Sequence, residues 1–149
     1  MEKELNALVV KKSIGIQASP EKIWDALTNP EITKKYMFDC EAISLWKVGS
    51  PLIWIGAKDG KAYVKGEILQ IAPEKILQYT VIDTTREDIP SNYTTVTYEL
   101  SSSDNGPTEV SITQGDFSEV EDGEKRFAEC IEGWNKTLEG LKKIVEHKS

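Results

Sequence analysis

The order of residue textures along the chain predicts an α+β fold. The fold is a strongly curved antiparallel sheet of about six or seven strands, wrapped around one long C-terminal helix, with two short helices after the first strand. Three observations carry this. An alternating segment near the start is followed at once by helix signals at Ser19-Pro20 and Asn29-Pro30. Residues 38–116 are β-branched and aromatic, broken by turn pairs, with no stretch periodic enough for a helix. Residues 118–148 return to helical spacing.

The first strand is read between Leu8 and Gln17, where Leu8, Val10, Ile14 and Ile16 fall on one face and only Lys12 interrupts them. In Ser19-Pro20-Glu21-Lys22 the serine can accept from free amides of a first helical turn, and proline suits the first helical position. That helix carries Ile23, Trp24 and Leu27. It stops at Thr28-Asn29-Pro30, because the residue before a proline is pushed away from helical angles, and a second short helix runs from Pro30 to Lys35.

Turn chemistry then divides the middle of the chain. The breaks are Gly49-Ser50-Pro51, Asp59-Gly60, Ala72-Pro73-Glu74, the segment Arg86 to Asn92, and Ser103-Asp104-Asn105-Gly106-Pro107. They delimit six strands. Asp59-Gly60 reads as a tight hairpin with positive φ at both central residues. Alternation is clearest at Ala62, Val64, Gly66, Ile68; at Leu77, Tyr79, Val81; at Val96, Tyr98, Leu100; and at Val110, Ile112, Gln114.

In the last segment Phe127, Ile131, Trp134, Leu138, Leu141 and Val145 form one apolar stripe. Acids at Glu119, Glu121, Asp122 and Glu124 crowd its start and Lys142, Lys143 and Lys148 its end, as the helix dipole favours. About 25 residues would span about 38 Å. Gly123 is read as a break before the regular part, and Gly133 and Gly140 as points of close approach. An apolar stripe and a sheet with one apolar face bury each other, which gives a helix-grip fold.

Composition narrows the function. The 149 residues are 39% hydrophobic and 29% charged, enough for a core and the size of a single domain spanning 1–149. Eighteen basic against 25 acidic residues leave a net charge of -7, which repels nucleic acid and anionic membranes. The apolar stretch Ala7 to Val10 is too short for a signal-peptide core or a membrane span, so a cytoplasmic location is expected. Cys40 and Cys130 lie 90 residues apart with no CxxC spacing, and the one histidine is His147, so no metal or disulfide is expected. No phosphate loop, dinucleotide fingerprint or GxSxG is present, and no cofactor is implied.

The run Ala18-Ser19-Pro20-Glu21-Lys22-Ile23-Trp24-Asp25-Ala26-Leu27-Thr28-Asn29-Pro30-Glu31 resembles the opening motif of the Hsp90-ATPase activator C-terminal-domain family, within the START and birch-pollen-allergen-like superfamily. Supporting pieces are the Asp59-Gly60 hairpin, Gly66-Glu67-Ile68 followed by Ala72-Pro73-Glu74-Lys75-Ile76-Leu77, and Gly133-Trp134 with Leu138 and Leu141. The chain departs from the family at Tyr36-Met37, where tryptophan is frequent, and near Gln114, where histidine is. The resemblance implies a cavity between sheet and last helix that takes hydrophobic or amphipathic small molecules in many relatives. In the eukaryotic activators it implies a chaperone-binding surface.

On this reading the ligand-binding candidates are Trp54, Ile68, Tyr79, Val81, Val96, Tyr98, Ile112, Gln114, Phe127, Ile131 and Trp134. Most of them serve equally well as plain core. The polar members Tyr79, Tyr98 and Gln114 need partners on an apolar face, which a ligand, a water or a neighbouring side chain could supply. Burying about 300 Å² of a ligand gains roughly 7 kcal/mol, and association costs at least about 4 kcal/mol, so selectivity requires oriented hydrogen bonds. No catalytic residue is nominated: Glu67 and Glu99 point outward by alternation, and Asp116 and Glu119 suit capping. The expected role is a non-catalytic carrier or sensor with the last helix as a movable lid. A cyclase- or hydrolase-type enzyme and a protein-interaction, chaperone-associated stress-response module stay open as alternatives.

Overall fold

The computed structural model describes residues 8–102, 106–118 and 120–147. The expectations for Glu119, for Ser103-Asp104-Asn105, for Lys148 and for the His147 side chain fall outside them. Strand β1 (Val10–Ile16) leads into helices α1 (Pro20–Thr28) and α2 (Pro30–Tyr36). Six strands follow: β2 (Cys40–Ser44), β3 (Pro51–Gly56), β4 (Ala62–Ala72), β5 (Ile76–Asp83), β6 (Thr94–Ser102) and β7 (Thr108–Gly115). A 3-10 turn, Pro90–Asn92, precedes β6, and the chain ends in α3 (Gly123–His147). No described helix is long and apolar enough to cross a membrane.

Local chemistry explains the helix limits. The Ser19 hydroxyl accepts from the Lys22 amide at 3.2 Å, which caps α1. Asn29 serves both helices: its amide closes α1 on the Asp25 carbonyl, and its side chain caps α2 by accepting from the Glu31 amide at 3.0 Å. The Asp59-Gly60 turn differs from expectation. Only Gly60 is left-handed, at φ 72°, and the loop spans residues 57–61. The Asp59 carboxylate holds it by accepting from the Lys61 amide at 3.0 Å and from the Tyr63 hydroxyl.

The seven strands form one antiparallel sheet in the order β1-β7-β6-β5-β4-β3-β2. Chain order almost gives spatial order, with β1 alone crossing over to pair β7. Helix side chains engage both margins of the sheet. Lys142 donates to the Gly15 carbonyl at 3.0 Å and Glu146 accepts from the Gln17 amide at 2.7 Å, while Thr33 accepts from the Ala42 amide at 3.0 Å on β2.

The grip on α3 is uneven along its length. Trp134, Leu138, Leu141 and Val145 are buried against the sheet, but Phe127 and Ile131, from the same stripe, are only partly buried. Gly140 brings α3 onto α2: a Cβ there would stand 3.0 Å from the Tyr36 Cβ, and the Tyr36 hydroxyl in turn donates to the Ala26 carbonyl at 2.6 Å. Gly133 has no such neighbour, since a Cβ there would meet nothing within 4 Å. The close-approach reading therefore holds for Gly140 and is corrected for Gly133, which borders open space.

Candidate functional site

That open space is a cavity of about 670 Å³ between the sheet and the first half of α3, within the range of small-molecule sites. Its sheet side is built by alternation. Tyr79, Val96 and Gln114 form one row across β5, β6 and β7, and Val81 with Thr94 forms the next. Trp54 of β3 and Val64 of β4 continue the wall, and Phe117 and Val120 line it from the connection between β7 and α3. Met37 and Phe38, just past α2, close the far side; Phe38 is 67% exposed and marks the mouth.

A polar chain is set into this apolar wall. The Trp134 Nε1–H donates to Gln114 Oε1 at 2.7 Å, and Gln114 Nε2 donates to Thr94 Oγ1 at 2.9 Å. Gln114 and Thr94 are 8% and 6% exposed, so the chain is almost wholly withdrawn from bulk water. Tyr98 meets Trp134 edge-on, with ring centroids 5.7 Å apart, and packs shut the region beneath it.

Burial and hydrogen bonding shift several titratable groups in and beside the wall. Burial pushes the Tyr79 and Tyr98 phenols above the ordinary tyrosine range, so both stay neutral. Burial likewise raises the Cys40 and Cys130 thiols, which face the cavity from β2 and α3, and keeps them protonated. Among the described residues Asp83 is the one carboxylate of this wall that is not exposed. Burial alone would raise it. Hydrogen bonds from the Thr85 amide at 2.9 Å and hydroxyl at 2.7 Å, with Arg126 and Arg86 nearby, outweigh burial and hold it below its ordinary value. Arg126 lies 3.8 Å from Asp83 and 3.9 Å from Glu129, and Arg86 donates to the Glu121 carbonyl at 2.9 Å. These charges rim the opening.

The sequence-predicted residues divide into two groups. Trp54, Tyr79, Val81, Val96, Gln114 and Trp134 stand on the cavity wall. Ile68, Tyr98 and Ile112 do not: they are enclosed core at 0%, 2% and 0% exposure. Alternation marks the whole inner face as apolar, and only the packing of the helices divides that face into filled and empty parts. Phe127 and Ile131 are also off the wall. The Phe127 ring meets that of Phe117 at 6.1 Å, and Ile131 packs on the core.

The helix instead turns Arg126, Cys130, Gly133 and Thr137 toward the cavity. This stripe has the same 4, 3, 4 spacing one position earlier, a rotation of about 100° on a helix. Because Arg126, Gly133 and Thr137 are not apolar, a search for apolar spacing passes over it. Thr94 was also missed, although it continues the inward series of Val96, Tyr98 and Leu100 by two residues. Trp54 enters the wall, whereas Trp46 packs on the core.

A hollow between a curled antiparallel sheet and a long closing helix defines a protein of the START-like helix-grip class. Over residues 17–146 the sequence matches the family described as activator of Hsp90 ATPase homolog 1-like protein, and the chain belongs to that family. The solution structure of ChR145 from Cytophaga hutchinsonii is 43% identical, with 94% of each chain covered and a TM-score of 0.73. The Aha1 dimer from Colwellia psychrerythraea is 26% identical over 93% of this chain and 96% of that one, with a TM-score of 0.73. CalU16 from Micromonospora echinospora, at 18% identity over 92% and 74% with a TM-score of 0.68, shares the fold. No curated protein matches the sequence significantly.

Proposed function

We propose that this protein binds a small hydrophobic or amphipathic molecule in the cavity under the first half of α3 and acts as a non-catalytic carrier or sensor. The observation that carries the reading is the unfilled 670 Å³ space itself, walled by Trp54, Val64, Val81, Val96, Phe117 and Trp134. Its polar groups argue against chemistry. A general acid needs a raised carboxyl pKa, and Asp83 is shifted the other way; the neutral phenols and thiols are shifted away from ionisation.

Gly133 supplies the test. A thermal-shift screen of lipids, flavonoids and aromatic polyketides is expected to include compounds that raise the wild-type midpoint. A ligand at 100 times its dissociation constant adds about 2.7 kcal/mol, or roughly 5–10 °C for a domain of this size. In Gly133→Trp the indole occupies the open space, and replacing a helical glycine does not weaken the helix. That variant should keep its own midpoint and lose the ligand-induced shift. Silence of the whole screen on the wild type, or an undiminished shift in the variant, defeats the reading.

A second reading rests on a different feature. Leu45 and Val48, in the β2–β3 connection, are 76% and 66% exposed, and Ile43 and Leu69 are exposed as well. Such side chains suit a protein partner or a second copy, as in the Colwellia relative described as a dimer. Gly133→Trp separates the two readings, because it fills the cavity and leaves that surface unaltered.

A further inference from the structure

The polar chain in the cavity wall has a direction, and that direction constrains what can bind. An indole N–H can only donate. Trp134 therefore fixes the Gln114 amide with its oxygen toward the indole at 2.7 Å and its nitrogen toward Thr94 at 2.9 Å. Thr94 Oγ1 must then act as acceptor in that bond, and its own hydrogen is left over. The second hydrogen on Gln114 Nε2 is left over too. Among the described residues neither has an acceptor, yet both groups are more than nine-tenths buried and both face the cavity. Thr94 and Gln114 are diagonal neighbours on one face of β6 and β7, since Gln114 pairs with Val96. The two spare hydrogens thus belong to adjoining groups.

Among the described residues the other buried amide on the wall, Asn92, is engaged in the same way and likewise keeps one Nδ2 hydrogen over, which adds a donor at the rim. Asn92 accepts from the Glu121 amide at 3.2 Å and donates to the Glu87 carbonyl at 3.0 Å, tying down loops at the rim. The withdrawn part of the cavity therefore offers donors where it is polar. Around them lie Val81, Val96 and the ring of Tyr79, whose hydroxyl is engaged with Tyr98, so the part of the occupant next to the donors is apolar.

Resting on the ligand-binding reading above, we propose that the occupant is an apolar, ring-sized molecule carrying a carbonyl oxygen, which is received by the Thr94 hydroxyl and the free Gln114 N–H. A carbonyl oxygen, having no hydrogen of its own, satisfies both donors at once, whereas an ammonium group has no lone pair to offer there and a ligand hydroxyl would have to turn its own hydrogen away from them. A pure hydrocarbon would fit the walls and leave both hydrogens unsatisfied in a dry site, at a penalty.

A matched pair of probes tests this: 2-acetylnaphthalene and 2-isopropenylnaphthalene, which differ in a carbonyl oxygen replaced by a methylene group. Calorimetric titration of the wild type should give about five- to tenfold tighter binding of the ketone, the value of one or two modest hydrogen bonds. Thr94→Val should reduce the preference, because only the Gln114 N–H remains to receive the carbonyl, while leaving hydrocarbon binding in place, and Thr94→Ser should keep it in full. Independently of any variant, the infrared carbonyl band of the bound ketone should move to lower wavenumber in the wild-type protein. Equal affinities of the wild type for the two probes, or an unshifted carbonyl band, overturn the carbonyl assignment and leave the cavity reading standing. Failure of both probes to bind overturns the two together.

Discussion

At the scale of single residues, the Trp134–Gln114–Thr94 chain ties the helix to the sheet in the middle of the hollow. Gln114→Leu would strand the Trp134 N–H and deprive Thr94 of its donor. The expected loss is about 1–3 kcal/mol of folding stability, read as a lower urea midpoint with an unchanged slope. An unshifted midpoint would mean that the indole finds another acceptor. Sequence reasoning nominated both Gln114 and Trp134 for the candidate site but could not join them, because β7 and α3 meet only in three dimensions. It missed Thr94 because a threonine at the head of an apolar alternation looks like the end of the strand. It missed the role of Gly133 because an empty space leaves no mark on composition. Ile68, Tyr98 and Ile112 were placed on the right face and the wrong part of it.

At the scale of elements, nearly all the boundaries were legible, and the reasons are local. Proline at Pro20 and Pro30, the Ser19 and Asn29 caps, and the turn clusters between the strands act within a few positions of themselves. The exception is the hairpin at Asp59-Gly60, whose length depends on the Asp59 and Tyr63 side chains. The uneven burial of α3 gives an element-level expectation. From Trp134 onward its stripe is packed against the sheet, whereas the first ten residues bridge the cavity. Backbone amides of residues 127–133 should exchange with deuterium faster than those of 137–145, and an added ligand should slow the first group selectively. Uniform protection along the helix would contradict this and would remove the basis for treating its first half as a lid.

At the scale of the whole molecule, several carboxylates far from one another tie down chain ends and margins. Asp116 accepts from the Ser118 amide at 2.9 Å and the Leu8 amide at 3.0 Å, and those bonds hold it below its ordinary 3.8. The Gln17 amide and Lys142 lower Glu146 from 4.5, and Asp83 is lowered as described. A carboxyl group depressed in the folded state contributes stability that is complete above its unfolded pKa and is lost as pH falls through the folded one. The melting midpoint should therefore change little between about pH 8 and about pH 5 and fall below about pH 4. Asp116→Asn should flatten part of that acid limb, and an unchanged limb would show that the carboxylate does not contribute. The net charge and the sheet-on-helix layout were both legible from the chain, but the pairing of Leu8 with Asp116, 108 positions apart, was not.

The side chains that reach the outer strands have one more consequence. A bare sheet margin offers a neighbouring chain a ready ladder to copy, which is how templated polymers grow. Here Thr33 interrupts that ladder on one flank, and Lys142 with Glu146 interrupts it on the other. Before an eighth strand could copy the ladder through those positions, a helix side chain would have to release its hold, so each border offers a shorter free run of ladder than its strand is long.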